Sequence, residues 1–121
     1  MSVRSYRDLD VWRLGIELVE EIYMVTRALP KSELYGLTSQ MQRAAVSVPS
    51  NVAEGQQRES TKEFLHHVSY SLGSLAELNT LLAICERLSY SDSVRISALS
   101  AKTESIGKML RSLQRSLRAK L

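Results

Sequence analysis

The segment from Arg43 to Gly55 constrains the fold more than any other part of the chain. Placed on one helix, Leu37, Met41, Ala44, Ala45, Val48 and Val52 form an apolar stripe. Beside it Arg43, Ser47, Asn51, Glu54 and Arg58 form a polar stripe with steps of 4, 4, 3 and 4. These spacings follow the period of a helix and not the alternation of a strand. The segment must lay one apolar face on a core while polar groups run along its edge. Pro49 lies inside this helix. Its ring removes an amide proton and crowds the carbonyl of Ala45, so a kink is expected. Gly55 is either a tight-packing site or an early stop.

The same period recurs along the whole chain. The first helix is expected from about Asp8 to Ala28, ended by Pro30. It carries two apolar lines. One is Leu9, Trp12, Ile16, Val19, Tyr23 and Thr26, and the other is Val11, Leu14, Leu18, Ile22, Val25 and Leu29. Together they cover roughly 220° of the circumference, about twice the arc that one core face needs. This excess points to contacts between subunits, or to a central position in a monomer. The second helix is expected from Leu34–Thr38 to near Gln57. The third opens on a capping box, Ser60-Thr61-Lys62-Glu63, and ends near Ser89–Tyr90. Its core line is Phe64, Val68, Leu72, Leu75, Leu78, Leu82, Cys85 and Leu88, and its small residues Ser71, Gly73 and Ser74 favour close approach of another helix. The fourth starts after Ser91 or Asp92 and carries Leu99, Thr103, Ile106, Leu110, Leu113 and Leu117. Short connections between long helices mean antiparallel neighbours. The expected fold is all-α: a single domain over residues 1–121, an antiparallel up-down-up-down four-helix bundle.

Composition narrows the classes of function. At 121 residues, 44% hydrophobic and 24% charged, the chain suits one globular domain. The segment Met1–Asp8 lacks an apolar core, so no signal peptide is expected there. No run approaches 18 apolar residues, so no membrane span or membrane partner is expected. The single cysteine, Cys85, rules out an internal disulfide and fits a cytoplasmic location. The net charge of +3 is uneven. Residues 1–90 carry nine Lys/Arg against eleven Asp/Glu, whereas residues 91–121 carry seven against two.

Few residue patterns carry chemistry. Glu63-Phe64-Leu65-His66 has the Glu-x-x-His spacing of di-metal carboxylate bundles, but such a site needs a second copy. The only other histidine is the adjacent His67, so neither a metal nor any other cofactor is expected. His66 and His67 read as surface or interface residues. Cys85 falls on the apolar line of its helix and reads as a small core residue. No phosphate loop or nucleophilic triad is present, so no enzyme activity is expected. The polar stripe has two readings. In one, Arg43, Asn51, Glu54 and Arg58 form a structural network, with Glu54 paired to Arg58 and Arg43 reaching Glu77 of the third helix. In the other, the stripe binds a ligand or partner. On the fourth helix Lys108, Arg111, Arg115 and Arg118 repeat at 3, 4 and 3, with Lys102 and Lys120 extending the line. This is either a solvated cationic face or a nucleic-acid-binding ridge that contacts phosphates.

Five segments carry a resemblance to a known family. They are Tyr6–Trp12, Leu34–Gln40, Arg43–Gly55, Ser60–Phe64 and Gly73–Leu78, in that order and spacing. Over about residues 4–90 the chain resembles the bacterial four-helix-bundle proteins, some of which are encoded within intervening sequences of 23S ribosomal RNA genes. It is similar in the same way to the accessory proteins of diversity-generating retroelements. The resemblance implies a closed bundle that assembles into a ring-like homo-oligomer, a pentamer. It also implies binding of RNA or DNA through a basic surface, together with a protein partner such as a reverse transcriptase. No catalytic residue comes with it. The leading expectation is a non-enzymatic, oligomeric nucleic-acid-binding adaptor. The alternative is a purely structural or protein-binding bundle.

Overall fold

A computed structural model describes residues 5–121, so the first four residues of the terminal segment and the start of the resemblance lie outside it. Four long helices make up the chain: α1 (Asp10–Arg27), α2 (Ser39–Gln56), α3 (Thr61–Arg87) and α4 (Ser93–Arg118). Among the described residues there is no strand. Each helix packs on its neighbours in sequence, and α4 closes on α1. This is the expected up-down-up-down four-helix bundle.

Local chemistry sets the helix ends. The Asp92 carboxylate accepts the Arg95 amide at 2.7 Å and caps α4. The Ser60 hydroxyl accepts the Glu63 amide at 3.1 Å and caps α3. The second arm of this box differs from the expected one, because the Ser60 hydroxyl itself donates to Glu63 Oε2 at 3.2 Å. Between α1 and α2 the chain makes a 3-10 turn, Lys31–Glu33, and then a π turn, Leu34–Thr38. The second helix therefore starts later than its apolar spacing suggests. Glu33 holds this connection. Its Oε1 accepts the Leu37 amide and its Oε2 accepts the Tyr90 hydroxyl, each at 3.2 Å.

The core is apolar and continuous. Leu18, Ile22, Met41, Val48, Val52, Val68, Leu78, Leu82, Ile106 and Leu110 are fully buried. On α1 the buried line is Val11, Leu18, Ile22 and Val25, and Leu29 continues it just past the helix end. The other line lies to one side, with Ile16 37% and Tyr23 39% exposed. α2 continues through Pro49 as one helix, Ser39–Gln56. The Pro49 ring packs on α1 at Gly15, where an added Cβ would sit 3.0 Å from Pro49 Cβ. α3 has 27 residues and a mean hydropathy of 1.2 over its most apolar stretch, so by length and composition it reaches what a membrane span needs. Its apolar side is the one buried in the bundle, at Val68, Leu75, Leu78, Leu81 and Leu82, while Glu77 and Thr80 are exposed.

Two features of the α3 end are testable. Tyr90 N donates to Cys85 O at 2.9 Å and Ser89 N to Glu86 O at 3.0 Å, the paired bonds of a Schellman end. Ser89 occupies the left-handed position with φ 60°, where glycine carries no Cβ penalty. Ser89→Gly should raise stability by about 0.5–1 kcal/mol in chemical denaturation. Cys85 is buried with Sγ 3.4 Å from Met41 Sδ. Burial, and after it the Glu33 carboxylate, push its thiol above the ordinary value of 9.0. The folded state keeps a proton that the unfolded chain releases near that pH. The thiol's contribution is complete below pH 9 and is lost as pH rises through the folded value. The melting temperature of the parent should therefore fall more steeply than that of Cys85→Ala above about pH 9.

Candidate nucleic-acid interface and the polar seam

α2 and α3 approach so closely at Gly55 that a methyl group would sit 2.7 Å from His67 Cβ and 2.8 Å from Phe64 Cδ1. Gly55 is thus a packing site inside α2 and not a stop. Backbones this close bring polar side chains into direct contact. Ser71 Oγ donates to Val48 O at 2.8 Å, and Ser74 Oγ donates to Ser47 Oγ at 2.7 Å. Asn51 Nδ2 donates to Ser47 O at 2.9 Å and to Ser47 Oγ at 3.0 Å. A backbone carbonyl only accepts, so the Asn51 amide has one orientation and its Oδ1 faces His67 Nδ1 at 2.9 Å. Nδ1 then carries a proton, and in the neutral imidazole Nε2 is the acceptor.

This seam differs from the network expected along the polar stripe. Of Arg43, Asn51, Glu54, Arg58 and Glu77, only Asn51 has a side-chain hydrogen bond among the described residues. The other four are exposed, and neither the Glu54–Arg58 nor the Arg43–Glu77 pair forms. An exposed pair gains little in water and costs side-chain entropy, so these charges stay solvated. The residues that do the joining, Ser47, His67, Ser71 and Ser74, repeat at helical spacing on two facing helices. That coincidence was the available signal. His66 is exposed, and Glu63 is engaged at the cap of α3. Among the described residues no group of three ligating side chains gathers.

The basic end of α4 forms a separate surface. Lys108, Arg111 and Arg115 line a groove of about 590 Å³ between α3 and α4, with Leu72, Leu75 and Asn79 on its other wall. Arg118 continues their line and is exposed. Arg111 Nη1 donates at 3.1 Å to Oε1 of Gln114, which is 4% exposed. This bond holds Arg111 against the helix. Lys108 lies 3.7 Å from Glu104, with both side chains largely in water, so the pair leaves its charge available. Among the described residues Arg115 and Arg118 have no acidic partner. Lys102 does not extend the ridge, because its ammonium turns to Glu21 of α1 at 3.0 Å.

The seam and the stripe should respond differently to truncation. Asn51→Ala removes the donor to Ser47 and the acceptor for His67, and should cost about 1–3 kcal/mol. Arg43→Ala and Glu54→Ala should stay within about 0.5 kcal/mol of the parent. Urea unfolding of the three variants checks both expectations.

The fold is shared. A crystal structure of a protein of unknown function from the S23 ribosomal protein family of Bacteroides thetaiotaomicron superposes with a TM-score of 0.80 at 20% identity. The alignment covers 86% of this chain and 97% of that one. No curated protein matches the sequence. The family model described as 23S rRNA-intervening sequence protein matches residues 7–112, nearly the whole bundle, and the chain belongs to that family.

Proposed function

We propose that the protein is a non-enzymatic, cytoplasmic subunit of a ring-like homo-oligomer, a pentamer, that binds RNA or DNA through α4 and presents it to a protein partner such as a reverse transcriptase. The observation that carries this reading is the ridge of Lys108, Arg111, Arg115 and Arg118, whose last two members have no acidic partner. Unpaired cations in a row displace condensed counterions from a phosphate backbone. Their helix-terminal position also suits them, since the negative end of the dipole holds them in place. The apolar line of α1 through Ile16 and Tyr23 supports assembly. Both remain partly exposed on one chain, with Met24 beside Tyr23 at 52%. A closed ring removes such surface from water and repeats the ridge, so that weak contacts add.

Two measurements test the reading. Light scattering should give a mass about five times the 13.6 kDa of one chain, and a monomer at tens of micromolar would overturn the assembly. Fluorescence anisotropy with labelled RNA and DNA should show affinity falling with salt, at a log–log slope of about −0.7 to −0.9 per phosphate neutralised. Replacing Arg111, Arg115 and Arg118 with glutamine should weaken binding and flatten that slope, while the cost in stability is limited to the Arg111–Gln114 bond. A triple variant that binds as well as the parent would leave the structural or protein-binding bundle as the better account.

A further inference from the structure

A second surface lies at the start of α3, outside the ridge. Arg58, Lys62, His66, His67 and Tyr70, with the Ser60–Glu63 cap at the rim, line a notch of about 410 Å³. Its chemistry differs from that of the ridge, which has no aromatic residue. Tyr70 is 58% exposed, and both imidazoles meet it edge-on, His66 at 6.4 Å and His67 at 5.9 Å between ring centroids. A ring braced by two imidazoles and open to solvent is a stacking platform. Among the described residues Arg58 and Lys62 have no acidic partner, so the notch offers two cations beside that platform. Glu63 is the one acid on the lining, and the Ser60 hydroxyl holds it at the cap.

The third element is His67. The seam behind it fixes its tautomer, because Asn51 accepts the Nδ1 proton and is itself anchored to the Ser47 carbonyl. Nε2 is thus a preset acceptor, a group that a bare phosphate has no proton to satisfy. A hydroxyl donor meets it, and the hydroxyl that separates RNA from DNA is the ribose 2′-OH. Asn79 meets Thr103, and Leu75 lies beside Gly107, so α3 and α4 run past each other in register and His67 falls level with Arg115. Notch and ridge therefore occupy the same end of the bundle, on either side of α3.

We propose that this notch receives one nucleotide of a single-stranded RNA. The base stacks on Tyr70, the phosphate lies between Arg58 and Lys62, and the 2′-hydroxyl donates to His67 Nε2. The proposal rests on the nucleic-acid reading above for the path of the remaining strand. It adds what the ridge alone does not supply, a preference for unpaired RNA.

The test is anisotropy on the full chain with a short labelled oligouridylate, the matching oligodeoxyuridylate and a duplex DNA. The parent should bind the RNA several-fold more tightly than the deoxy strand. Tyr70→Ala should weaken both single strands by roughly tenfold and leave the duplex unchanged. His67→Phe, checked by thermal melting, should erase the RNA preference. If that variant does not fold, the comparison of the two strands and Tyr70→Ala still decide. Equal affinity for the two single strands, or a Tyr70→Ala protein that binds them as the parent does, would overturn the notch. Duplex binding with its salt slope intact would then leave the ridge standing. RNA binding that Tyr70→Ala abolishes and the triple α4 variant retains would support the notch and sink the ridge. Absence of any binding at low salt would overturn both.

Discussion

The bundle depends on how closely α2 and α3 approach one another. Gly55 allows it, since any side chain there would meet the Phe64 ring and the stem of His67. Two backbones at that distance exclude water, so every polar group between them must find a partner in the protein. Serines supply those partners, being short enough to fit and able both to donate and to accept. The result is a seam that is tight because its residues are small and stable because its hydrogen bonds are complete. Among the described residues no buried side-chain nitrogen or oxygen lacks a partner. The same seam orients His67, so the packing of the core determines the chemistry offered at the surface.

The other helices divide the remaining work. α1 has one apolar line in the core and another at its edge, where Ile16 and Tyr23 are partly exposed. α4 closes the bundle with Ile96, Leu99, Ile106, Leu110 and Leu117, and its basic residues fall on the flanks of that line. Arg115 and Arg118 stand clear of that line, whereas Arg111 bonds to the buried Gln114. On α2 and α3, Asn51 and His67 are joined to each other across the seam.

Much of this was legible in the sequence, for a physical reason. Helix existence follows from apolar spacing, and the capping residues Ser60 and Asp92 are local signals. The four helices and most of their core lines therefore read directly. The partners of polar side chains depend on the rotation and separation of two helices, which no spacing within one helix contains. Arg43, Glu54, Arg58 and Glu77 lay at correct intervals for ion pairs and remain in water. Ser47 read as part of the polar stripe and Ser71 and Ser74 as small residues for close helix approach, but the hydrogen bonds that make them a seam were not legible. The π turn at Leu34–Thr38 was hidden for a similar reason, since the apolar period continues through it. Ser89 in a left-handed turn was invisible because glycine is the usual mark of that conformation.

One contact also determines how the bundle can be assembled. The Pro49 ring rests on Gly15, where α1 has no side chain to oppose it. One turn along α1 in either direction stands a valine, Val11 or Val19. Sliding α1 by a turn against α2 would set a branched side chain against a rigid ring, and neither can yield by changing rotamer. A four-helix bundle with repeating apolar lines has several alignments of similar burial. Here a proline and a glycine act as a key and its slot and admit only one. A residue that looks like a helix breaker thereby serves as the index mark by which two helices find their alignment.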